Sequence, residues 1–86
     1  MPYITDNDRR KFDKILDEFY KMDSNTLSPG DLNYLFSSMI WYAFENKRSY
    51  TKGNELVGMI ECVKQEFYRR KLVPYEAEKI EENGDI

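Results

Sequence analysis

The chain has 86 residues, the length of one domain, and a net charge of −3 from 13 basic and 16 acidic side chains. It has no histidine and one cysteine, Cys62. That excludes Ser-His and Cys-His nucleophilic pairs, His-ligated zinc, a structural thiolate zinc site and an intramolecular disulfide.

The first predicted helix starts after Thr5 or Asp6, where Thr5 followed by Asp8 resembles a capping box. Phe12, Ile15, Leu16 and Phe19 form one apolar stripe at i, i+3, i+4 and i+7, and the helix is expected to end near Met22. The second helix has the strongest start signal. Ser28 is placed at the N-cap, Pro29 at N1 and Asp31 at N3, with Leu27 and Leu32 as a hydrophobic staple. Its core stripe is Leu32, Leu35, Phe36, Met39, Ile40, Ala43 and Phe44, and Tyr34, Trp41 and Tyr42 lie outside it. A helix apolar around so much of its circumference is central or makes an oligomer contact.

Residues 46–53 read as a loop. The third helix turns Leu56, Val57, Met59, Ile60, Val63 and Phe67 towards the core and runs to about Lys71. A bend is expected at Leu72-Val73-Pro74, because proline disfavours helix in the residue before it. Pro74 then opens a short fourth helix that stops at Asn83-Gly84. The predicted fold is all-α, a single domain over residues 1–86. It is a three-helix, bundle-like arrangement with a short C-terminal fourth helix.

Charge is unevenly distributed. Residues 76–86 hold five acidic side chains against Lys79, a net of −4, which leaves +1 for the rest of the chain. This balance argues against duplex nucleic acid as a partner, since duplex binding gains from a net basic face. The longest apolar or aromatic run, Met39 to Phe44, is too short for a membrane span. One cysteine and no signal peptide point to the cytoplasm. Seven tyrosines are more than a small core hides with ease, which points to an interface or a lined pocket, and the aromatic excess favours a homo-oligomer.

With histidine absent and the four glycines standing singly, carboxylate chemistry with magnesium is the remaining enzymatic option. Glu61 and Glu66 sit roughly 140° apart around a helix and flank the apolar stripe. Glu78 with Glu81, and Glu82 with Asp85, have metal-capable i, i+3 spacing. These pairs resemble the acidic motifs of all-α nucleoside triphosphate pyrophosphohydrolases, although in that family the pairs lie on separate, longer helices. A solvated acidic helix end is the preferred reading. Tyr68-Arg69-Arg70-Lys71 suits a phosphate or nucleotide, because guanidinium grips phosphate bidentately and a ring stacks on a base. Cations complementing a helix C-terminus, or binding the acidic tail, account for the same residues structurally. Cys62 has no adjacent cation to activate it and reads as a packed residue.

Several blocks are similar to a family of small uncharacterised proteins of bacteria, archaea and their phages. They are Met1-Pro2-Tyr3-Ile4 with Asp8-Arg9, Leu32-Asn33-Tyr34-Leu35, and Gly58 with Glu61-Cys62. The C-terminal block adds Glu66-Phe67-Tyr68-Arg69-Arg70, Pro74-Tyr75-Glu76, Lys79-Ile80 and Asn83-Gly84-Asp85. The resemblance implies a fold unit and a phage or prophage setting, and it supplies no catalytic residues. The expected function is a non-enzymatic binding module without a cofactor, engaging a protein partner or a small anionic, nucleotide-like ligand. A ligand site is placed at Arg69, Arg70 and Tyr75, with Tyr68 and Tyr34. The alternative is a magnesium-dependent pyrophosphohydrolase using Glu61, Glu66, Glu78, Glu81, Glu82 or Asp85.

Overall fold

A computed structural model describes residues 4–86. Met1, Pro2 and Tyr3, which open the resemblance, lie outside the described residues. The chain is all-α, and no strand occurs among the described residues. It divides into two compact units, Met1–Ser37 and Ser38–Ile86.

In the first unit, α1 (Asp6–Arg9) starts where the Asp8 backbone N–H donates to Thr5 Oγ1 at 3.2 Å. A 3₁₀ turn (Arg10–Phe12) leads into α2 (Asp13–Tyr20). Lys21 and Met22 donate their N–H groups to the Glu18 and Phe19 carbonyls at 3.3 and 3.0 Å, tightening the chain end of α2. A second 3₁₀ turn, Ser24–Thr26, is capped by Asp23, whose Oδ1 accepts from the Asn25 N–H at 3.0 Å. The start of α3 (Pro29–Glu45) is a complete capping box. The Asp31 N–H donates to Ser28 Oγ at 3.0 Å, and the Ser28 N–H donates to the Asp31 carboxylate at 2.9 Å. Two backbone donors are thus satisfied reciprocally where the helix itself offers no acceptor.

The second unit contains the end of α3, then α4 (Tyr50–Phe67), a π-helical stretch (Tyr68–Leu72) and α5 (Val73–Asn83). Two expectations need correction here. The loop is shorter than residues 46–53. Ser49 caps α4 by accepting from the Lys52 N–H at 3.0 Å, and Gly53 falls in the first turn. A lone glycine costs a helix only about 1 kcal/mol, and Gly53 lies beside Phe44, where an added Cβ would stand 3.5 Å from that ring. The expected bend at Leu72-Val73-Pro74 is also absent. Phe67, Tyr68, Leu72 and Val73 all keep right-handed helical dihedrals, so α4 passes into α5 through the π stretch.

Pro74 supplies the reason. It has no N–H to donate, and in an unbroken α-helix its ring would press on the carbonyl four residues back. Widening the turn avoids that clash. The Val73 N–H reaches the Tyr68 carbonyl, five residues back, and the helix absorbs one extra residue. The helix stops where expected. Gly84 has φ +84° and donates to the Ile80 carbonyl at 2.8 Å, a conformation that side-chain-bearing residues rarely adopt.

No described residue is buried. Phe19 on α2, Leu32, Leu35, Ile40, Ala43 and Phe44 on α3, and Leu56 on α4 are half-buried. The other members of the predicted stripes are exposed, including Phe12, Ile15 and Leu16 on the first, Phe36 and Met39 on α3, and Val57, Met59, Ile60, Val63 and Phe67 on α4. Tyr34, Trp41 and Tyr42 are more open than Phe36 and Met39, in keeping with their place outside the α3 stripe.

Replacing Ser28 by Ala removes one side of the capping box. It should cost about 1 kcal/mol, seen as a lower thermal midpoint by circular dichroism. An unchanged midpoint would show that the cap contributes nothing.

Candidate functional site

The feature with most functional content is the face that runs along α4, the π stretch and α5. Leu56, Ile60, Val63 and Phe67 are spaced four, three and four apart, so one stripe of α4 carries them. At about 100° per residue, an unbroken α-helix would continue that stripe with Lys71 and Pro74. The extra residue in the π stretch turns the following segment back by one position. Leu72 and Tyr75 then take those places. The turn imposed by Pro74 therefore extends an apolar stripe that a regular helix would have ended in a cation and a proline.

Along this stripe, only the residue nearest Phe44 is partly covered. Leu56 is half-buried, whereas Ile60, Val63, Phe67, Leu72 and Tyr75 are 42, 49, 61, 40 and 54% exposed. Lys79 Nζ stands 5.6 Å from the centroid of the Tyr75 ring, a cation–π contact that orients Tyr75 at the end of the stripe.

Polar side chains border it. Arg69 is held by Glu66, its Nη2 donating to Oε2 at 2.6 Å, and Glu66 is the more covered of the two. Lys79 also donates to Glu82 at 3.0 Å. Gln65 Nε2 donates to Glu61 Oε1 at 3.0 Å, and Lys64 Nζ lies 3.6 Å from the same oxygen. The Gln65 hydrogen bond and then the Lys64 charge hold the Glu61 carboxyl below its ordinary value, against a smaller opposing effect of desolvation.

The residues expected to bind an anion are distributed as follows. Tyr68, Arg69 and Arg70 open the π stretch, and Tyr75 lies in the first turn of α5. Tyr34 is on α3 in the other unit. Arg69 is engaged by Glu66, an i, i+3 pair visible in the spacing that the ligand reading passed over.

Of the six carboxylates of the magnesium alternative, Glu61, Glu66 and Glu82 contact Gln65, Arg69 and Lys79. Asp85 accepts from the Ile86 N–H at 2.7 Å, and Glu78 and Glu81 are exposed on α5. Among the described residues, no three His, Cys, Asp or Glu side chains are placed to hold a metal ion. Among the same residues, no helix is long and apolar enough to cross a membrane.

A sequence-family model described as a domain of unknown function (DUF6899) matches residues 1–86. The chain belongs to that family, in line with its resemblance to uncharacterised proteins. No curated protein and no solved structure matches it.

The Glu61 contacts yield a titration test. A lowered carboxyl favours the folded chain above its unfolded value, and that contribution is lost as pH falls through the lowered value. Gln65→Ala removes the leading cause, so the Glu61 midpoint, followed by carboxyl NMR, should rise towards the usual range. An unmoved midpoint would leave Lys64 as the cause.

Proposed function

We propose that this protein is a non-enzymatic interaction module whose apolar helix faces are completed by a protein partner. The observation that carries this reading is the absence of any buried described residue, while large apolar side chains stand exposed on α2, α3, α4 and α5. Burying a Leu, Ile or Phe side chain contributes about 1.5–3 kcal/mol, so a partner that covers such a stripe gains several such increments. Contiguous exposed apolar surface marks association sites, whereas scattered single residues do not.

The C-terminal block from Glu66 to Asp85 is the working part in this reading. It joins the end of the stripe to the basic triplet Arg69-Arg70-Lys71 and the acidic tail. Charges at a rim steer encounter and fix register more than they add affinity. Tyr68 and Tyr75 suit such a border, with a ring to bury and a hydroxyl to leave wet. A small anion is the lesser candidate ligand, because Arg69 already spends its guanidinium on Glu66.

A hydrophobic dye tests the reading. Dilute protein should brighten it strongly. Val63→Ser combined with Phe67→Ser should reduce that signal and leave the helical circular dichroism unchanged. A dilute protein that binds no dye, and loses helix on these substitutions, holds the side chains in its own core and the reading fails. A nucleotide that raises the thermal midpoint, with the rise abolished by Arg69→Ala and Arg70→Ala, would move the function to small-anion binding.

A further inference from the structure

We infer that the partner on the α4–α5 face is a second copy of this chain, docked antiparallel about a two-fold axis that passes beside Phe67; the inference rests on the interaction-module reading.

Two observations carry it. The first is the spacing of the exposed stripe. Ile60 and Tyr75 lie equally far from the point between Phe67 and Tyr68, and so do Val63 and Leu72. An axis through that point sets Ile60 against the partner's Tyr75 and Val63 against the partner's Leu72. The stripe is then self-complementary end to end, as an isologous contact requires. Leu72 and Tyr75 enter it only because of the residue accommodated at Tyr68–Leu72.

The second is charge. Residues 76–86 carry a net of −4, while residues 49–59 hold Lys52 and Glu55 and are neutral, with Lys47 and Arg48 just before them. In an antiparallel pair about this axis the acidic end of each chain lies against this neutral stretch of the other, with the two cations just beyond it. In a parallel pair the two acidic ends abut. Like charges set together repel, and the penalty decides between the two orientations. The exposed ends make this selection sensitive to salt.

Sedimentation and cross-linking test the proposal together. The full chain should pass from monomer to dimer with rising concentration, and dye binding should fall in step. Arg48→Glu with Lys52→Glu should weaken the dimer about tenfold at low salt, given roughly 0.2–1 kcal/mol per exposed pair. Adding Glu82→Lys and Asp85→Lys to the same chain should restore it. In a Cys62→Ser background, Ile60→Cys mixed with Tyr75→Cys should form mixed disulfides, and neither variant alone should cross-link well. Self-linked Ile60→Cys or Tyr75→Cys would establish a parallel pair and overturn the proposal. A wild-type chain that stays monomeric at several hundred micromolar, yet binds dye throughout, would also overturn it and give the face to a different protein. A monomer that binds no dye would overturn the interaction-module reading as well.

Discussion

The missing N–H of Pro74 is the constraint on which the C-terminal half of this protein depends. A helix meeting a proline in its interior either breaks or finds room for the ring, and here it finds room by admitting one extra residue per turn. The cost is a local departure from α geometry. The result is a change of phase, and phase decides which side chains share a face. A regular helix would have carried the apolar stripe of α4 into Lys71, Pro74 and the acidic tail. The widened turn instead hands it from Phe67 to Leu72 and Tyr75.

The exposure of that stripe acquires meaning from its neighbours. Near Phe44 the start of α4 is partly covered, so Gly53 and Leu56 serve the chain's own packing. Beyond Ile60 the same stripe is open, and the ion pairs beside it join residues three apart on one helix, as Arg69 with Glu66 and Lys79 with Glu82. Such local pairs contribute a few tenths of a kcal/mol to a helix and leave the apolar strip between them uncovered. The division between an inward-serving start and an outward-facing remainder lies along a single run of helix.

Local chemistry made much of this legible. The Ser28-Pro29 start with Asp31, the Thr5 cap and the Gly84 stop are each specified by two to four residues, and the backbone behaves at each as those residues require. Ser49 was missed because Ser49-Tyr50-Thr51-Lys52 has no acid at the third helical position and Gly53 follows at once, which together resemble a loop. The π stretch was missed because proline was read through its usual effect on the preceding residue, while the surrounding helix was strong enough to accommodate it. The period of the apolar residues located their stripes but could not reveal what covers them, since periodicity names a face and not its neighbour. The ion pair of Arg69 was legible too, in the i, i+3 spacing from Glu66.

The widened turn also has a consequence for how the length of this segment and its composition constrain each other. Were Pro74 replaced by a residue with an N–H, a regular α-helix could form, and Leu72 and Tyr75 would rotate away from Phe67. Removing one residue from the Arg69-Arg70-Lys71 run would return them to it. Loss of the proline and loss of one residue are therefore each disruptive alone and compensating together. Within the family, chains that lack this proline should be one residue shorter here, so that a gap in an alignment records a preserved surface.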